Sequence, residues 1–137
     1  MNIAFLCVLL ALVLIYVPRG VVFAVLARER GLKGFDNRTP RVQQATLEGF
    51  GARAQGAHLN GFEAFAPFAA AVICAHLAGV DPSWLNGLSI AFVALRSLYL
   101  VCYLADIDTV RSTVWSMGLG VVVTLFVFAV IGFGAVG

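Results

Sequence analysis

The residues of this 137-residue sequence that could do chemistry stand at helical spacing inside apolar stretches. Arg53, Asn60 and Glu63 lie at i, i+7 and i+10, on one face of an α-helix together with Gly56 and Pro67. Arg96, Tyr99 and Tyr103 lie at i, i+3 and i+7, and Arg111 follows at the head of the next apolar stretch. Arginines hold carboxylates, a carboxylate holds an ammonium group, and an amide and two phenols complete the hydrogen bonds. Such a set could bind a small zwitterionic or anionic molecule. It could equally neutralise itself, Glu63 against Arg96, with Asn60 and the tyrosines gluing helices together. A charge at the centre of a membrane helix costs about 2.5–3.5 kcal/mol, so either use requires these side chains to face protein or water.

Other chemistries find no support. No serine or cysteine nucleophile stands with a base, no glycine-rich loop suits a phosphate, and no metal-ligand cluster is present. His58 points away from the Asn60–Glu63 face by helical spacing. Cys7, Cys74 and Cys102 sit in separate apolar blocks without metal-ligand spacing, and read as small buried hydrophobes.

The elements that position these residues are membrane helices. Hydrophobic residues make up 61% of the chain and charged residues 12%, too little polar surface to cover a water-soluble globule. A span takes about 20 apolar residues, so the length admits four spans and no separate soluble domain. The fold class is therefore an all-α integral membrane four-helix bundle, one domain over 1–137, with helices near 3–27, 43–79, 83–104 and 112–136.

The first helix is apolar apart from Tyr16, Pro18 and Arg19, and too long for a signal peptide. Pro18 should kink it. Arg19 requires a snorkelling route or a partner in a neighbouring helix. Polar sequence from Arg28 to Phe50, punctuated by Gly31, Gly34, Pro40 and Gly49, reads as a loop. Asp81 or Ser83 caps the third helix with Pro82 in its first turn, and Trp115 stands as an interfacial anchor.

Six of the nine basic residues, Arg28, Arg30, Lys33, Arg38, Arg41 and Arg53, lie between the first two apolar blocks, and Arg111 joins them on the same side. The turn at Asp81 has none. By the positive-inside rule both termini lie on the outer side and the 28–52 loop in the cytoplasm, with a bacterial inner membrane as the expected setting. The basic cluster sets orientation and does not predict nucleic-acid binding. At 1.5 Å per residue, Glu63 and Arg96 both stand about 10 to 15 Å inside the cytoplasmic surface and can meet. The outer half has little beyond His76 and Asn86.

The motif Arg53, then Ala57-His58-Leu59-Asn60-Gly61-Phe62-Glu63, then Pro67-Phe68, resembles the second helix of the membrane-associated proteins in eicosanoid and glutathione metabolism, the MAPEG family. Arg96, Tyr103 and Arg111-Ser112 match that family's third and fourth helices in order. The resemblance implies a homotrimer of four-helix subunits, with glutathione as cosubstrate bound between neighbours. It assigns Arg53, Asn60, Glu63, Tyr103 and Ser112 to glutathione binding and Arg111 to stabilising its thiolate, with Arg96 and Tyr99 as a structural seam. The implied activity is a glutathione-dependent transferase or peroxidase acting on lipophilic electrophiles. The alternative is a non-catalytic lipid-binding or scaffold member, and lipids and lipophilic small molecules are the partners in both cases. A proton-coupled exporter using Glu63 is a third reading, opposed by the expected Arg96 pairing. One position departs from the family pattern: where many members carry arginine before Ala-His, this chain has Gly56, so a carboxylate clamp is absent there. Arg53, Arg28 or Arg30 could replace it.

Overall fold

A computed structural model describes residues 2–31 and 34–134. Five helices follow one another: α1 (Ile3–Arg30), α2 (Pro40–Ala45), α3 (Gly49–Leu77), α4 (Pro82–Leu104) and α5 (Asp108–Ile131). The four long ones are each long and apolar enough to cross a membrane. They run alternately up and down, with α3 and α4 packed on each other and each on both α1 and α5, which flank them.

Small residues set this packing. Ala4, Ala11, Ala54, Ala57, Ala71 and Ala75 are all buried, and a Cβ on Gly61 would lie 3.2–3.4 Å from Ile15, so α1 and α3 approach backbone to side chain. In lipid, where apolar surface gains nothing by leaving solvent, such close approach is what holds helices together. Larger side chains fill the half near the 79–81 turn, where Phe68 and Phe92 stack with ring centroids 3.8 Å apart. Val22, Leu26, Leu47 and Ala54 form a smaller cluster at the other end. The outward face is an apolar belt, with Leu9, Val13, Ile90, Val101 and Val130 exposed. Buried or lipid-facing hydroxyls return their protons to the carbonyl one turn back, as Ser89 does to Leu85 (2.7 Å) and Thr124 to Gly120 (2.8 Å).

Several expected boundaries shift. The polar stretch is not all loop: α1 continues to Arg30 before Gly31 (φ 70°) ends it, and Pro40 opens the short α2. The second predicted helix is not continuous from 43. Thr46 and Leu47 close α2 with bonds to Gln43 and Gln44, and α3 starts afresh at Gly49 (φ 50°). The last helix begins at Asp108, four residues early, because Arg111 N–H already bonds to Ile107 O (3.0 Å) and Asp108 suits a helix N-terminus. It ends at Ile131, short of the expected 136, because Gly132 turns left-handed (φ 64°) and its N–H closes on Phe128 O; Lys33 lies outside the described residues. Asp81 accepts from Ser83 N–H (2.8 Å) and caps α4 as expected, with Pro82 as its first residue. Cys7 and Cys102 are buried, but Cys74 is exposed: it falls on the outward stripe of α3, away from buried Ala71, Val72 and Ala75.

Candidate functional site

The expected seam forms at the level of the loop-side half. From α4, the Arg96 guanidinium donates to Asn60 Oδ1 (2.9 Å), and Asn60 Nδ2 donates to Glu63 Oε2 (3.0 Å). The partners fix the amide's orientation, since a guanidinium only donates and a carboxylate only accepts. Glu63 and Arg96 therefore do not pair directly, contrary to expectation. Asn60 stands between them, because its position one turn before Glu63 brings it to Arg96 first. With Arg96 engaged by the amide, one carboxylate oxygen of Glu63 is left without a bond among the described residues.

A second chain of contacts runs along α4 to α5. The Arg96 guanidinium carbon lies 4.2 Å from the Tyr99 ring centre, Tyr99 meets Tyr103 edge to face at 5.5 Å, and the Arg111 guanidinium carbon lies 4.4 Å from the Tyr103 ring centre. Each ring thus offers its negative face to one cation. Tyr99 is 5% exposed and structural. Tyr103 is half-buried, and its hydroxyl end rests on Gly56, where any Cβ would lie 3.0 Å from Cζ and nearer still to the oxygen. The absence of a side chain at Gly56 is what lets Tyr103 lie there. Arg111 has no hydrogen-bonded acceptor among the described residues, so its donors are available to a ligand.

Two predicted ligand contacts are engaged within the chain. Arg53 Nη1 pairs with Asp106 (3.2 Å) and its Nε donates to Leu104 O (3.4 Å), fastening α3 to the end of α4. Ser112 Oγ donates to Asp108 O (3.1 Å) on the exposed side of α5. Of the proposed substitutes for the missing clamp, Arg30 bonds to Thr46 Oγ1 (2.9 Å), and Arg28 is exposed at the end of α1.

Glu63 is an exposed side chain on a membrane helix. It opens a groove of about 100 Å³ whose walls are Pro67, Trp115, Gly118, Leu119 and Val122. The groove has a charged head and an apolar floor, so it suits an amphipathic occupant better than a wholly polar one. His58 turns to α1, as its spacing requires: Nδ1 lies 2.8 Å from the Ile15 carbonyl, which can only accept, so Nδ1 carries the proton. Sequence reasoning missed two features. Asp106, in a left-handed turn (φ 63°), holds Arg53, and a polar cleft lies between α1, α2 and α3. The turn conformation has no signal in the sequence, whereas the cleft is hinted at by Arg19, an arginine inside a span.

The MAPEG family model matches residues 3–131, nearly the whole chain, and the chain belongs to that family. It is an integral, multi-pass membrane protein of the glutathione and eicosanoid metabolism family. No curated protein and no solved structure matches it.

Proposed function

We propose that this MAPEG member is a membrane-bound, glutathione-dependent transferase or peroxidase that acts on lipophilic electrophiles, working as a homotrimer. The observation that carries the reading is the separation of two uncommitted charges: Arg111, held over Tyr103 without an acceptor, and Glu63, exposed with one oxygen free. A self-neutralising seam would have paired Glu63 with Arg96 directly, and Asn60 stands between them instead.

The available groups fit two ends of glutathione. Glu63 and Asn60 suit its ammonium end, and Arg111 suits its sulfur. When bound, glutathione supplies a thiolate nucleophile. A free thiol has a pKa near 8.5, and a guanidinium directed at sulfur favours the ionised form near neutral pH. Tyr103 holds the Arg111 guanidinium in place through its ring face. The apolar groove beneath Glu63 would admit the electrophile from the bilayer.

An exposed carboxylate in a span is costly in lipid, which favours a neighbouring subunit covering Glu63 and hence the trimer. The basic loop side is assigned to the cytoplasm and both termini to the outer side, in a bacterial inner membrane.

Isothermal titration of the detergent-purified protein with glutathione tests the binding, and conjugation of chlorodinitrobenzene tests the chemistry. Binding accompanied by a rise in thiolate absorbance supports the enzyme. Stabilisation by fatty acids but not by millimolar glutathione would establish the lipid-binding alternative instead, for which the apolar groove is the favouring observation.

A further inference from the structure

Among the described residues, four glycines inside the long helices are screened from the surroundings: Gly51, Gly56, Gly61 and Gly118. Three are explained by close packing. A Cβ on Gly51 would come within 3.1 Å of Val25 and Leu47, one on Gly61 within 3.2 Å of Ile15, and one on Gly56 would meet the Tyr103 ring. Gly118 differs. Beyond its own stretch of helix, a Cβ there would find no described atom within 4 Å.

Nothing in the packing or the backbone asks for a glycine at this position. Gly118 lies on the buried stripe of α5 with Val114, Val122 and Leu125, and each of the others fills the bundle with a branched side chain. A glycine inside a helix costs stability against alanine, and Gly118 has no left-handed φ to excuse the cost. It neither admits a neighbouring helix nor eases a turn. What it leaves is room.

That room belongs to the groove of about 100 Å³ beside Glu63. Trp115, one turn from Arg111, lines it together with Val122, two turns further on. The groove therefore runs from the guanidinium assigned to the thiolate towards the middle of the span. Phe92, buried and stacked on Phe68 (3.8 Å between ring centres), is a fixed wall. Leu119, 46% exposed, is the wall that can be cut back. An enclosed apolar cavity of about 150 Å³ holds one benzene ring. A smaller groove, open on one side, takes a ring of that width or an unbranched chain and excludes fused rings.

We propose that Gly118 sets the size of the electrophile: its bare backbone seats a single aromatic ring or an unbranched chain between Trp115 and Val122, with the reactive carbon at the Arg111 end. The inference rests on the glutathione-dependent reading above and adds to it the width of the substrate. With benzyl chloride, the glutathione thiol gives its proton to water, and the thiolate sulfur forms a bond to the benzylic carbon. The carbon–chlorine bond breaks, and chloride leaves with the bonding pair.

The detergent-purified chain, supplied with glutathione, is assayed on benzyl chloride, chloromethylnaphthalene and chloromethylanthracene, each rate taken over its own uncatalysed rate. The enhancement should fall at least about tenfold from one ring to three. Gly118→Leu should lower the one-ring enhancement at least about tenfold, with the glutathione titration unchanged and the unfolding temperature held or raised. Should that variant not fold, Gly118→Ala shows the same loss in smaller degree. Leu119→Ala should admit the naphthalene. Equal enhancement for all ring sizes, or one-ring turnover that survives Gly118→Leu, overturns the proposal. A second measurement needs no glutathione. Trp84→Phe leaves Trp115 as the single tryptophan, and bromobenzene quenches a tryptophan it touches. Gly118→Leu should raise the half-quenching concentration at least about threefold. Failure to conjugate all three chlorides, with that shift intact, removes the transferase and keeps the ring-sized site, whereas unshifted quenching overturns the site itself.

Discussion

Tyr103 lies on the bare backbone of Gly56, so closely that a Cβ at that position would come within 3.0 Å of Cζ. The same ring holds the Arg111 guanidinium 4.4 Å from its centre, so one missing side chain on α3 sets the position of a charge on α5.

Gly56→Ala therefore acts on activity more than on stability. The methyl displaces Tyr103, an overpacking cost of about 1–3 kcal/mol, and alanine's better helix propensity returns about 1 kcal/mol. Thermal unfolding in detergent should show a net loss of at most about 2 kcal/mol, while glutathione conjugation falls more steeply. On a Tyr103→Ala background Gly56→Ala should be neutral or stabilising, which a double-mutant cycle reads directly.

Arg111→Ala removes the one guanidinium on this face that has no acceptor among the described residues. Turnover with chlorodinitrobenzene should drop about 100-fold or more, by analogy with deleting a single charge-stabilising donor. Arg111→Lys keeps the charge but loses the planar stacking on Tyr103 and should recover part of the rate. Unchanged turnover in the alanine variant would remove Arg111 from the mechanism.

Asn60→Ala leaves Arg96 without its acceptor inside the span. Stranding a half-buried charged donor costs about 1–3 kcal/mol, so this substitution should lower the unfolding temperature more than Tyr99→Phe, which keeps the ring under Arg96. Thermal shift of the two purified variants decides it. Equal loss would mean that the amide does not satisfy the guanidinium.

Asp106 occupies a left-handed conformation (φ 63°) that favours glycine, and it pairs with Arg53. Asp106→Ala loses the pair and keeps the strain, costing about 0.2–1 kcal/mol. Asp106→Gly loses the pair but relieves the strain, and its stability should stay within about 0.5 kcal/mol of the parent. Chemical denaturation of both variants tests the difference.

Two aspartates outside the spans give the loop ends a pH dependence. The Thr39 hydroxyl, with the Thr39 and Arg38 amides, holds the Asp36 carboxyl below the ordinary aspartate range, and the Ser83 side chain and amide do the same for Asp81. A lowered folded-state pKa contributes stability that is present above the unfolded value of about 3.9, and that is lost as pH falls through the folded-state pKa. Amide hydrogen exchange at Thr39 and Ser83 should therefore accelerate only below that range relative to neighbouring amides. Asp36→Asn and Asp81→Asn should each abolish the local acid response.

The sequence by itself determined the environment and the inventory. Four apolar runs can only be spans, because a backbone in lipid must satisfy its hydrogen bonds within each helix. Helical spacing then puts Asn60 and Glu63 on the face towards Arg96, and sends His58 the other way to Ile15. Periodicity along one helix is legible because it is local. What tertiary structure decided is which charges meet and which stay open. Asn60 stands between Glu63 and Arg96, Arg53 is claimed by an aspartate 53 residues away, and Tyr103 takes the room left at Gly56. Each of these depends on the depth and rotation of one helix against another. In lipid those are set by close packing of alanine and glycine surfaces, whose fit no single stretch of sequence contains.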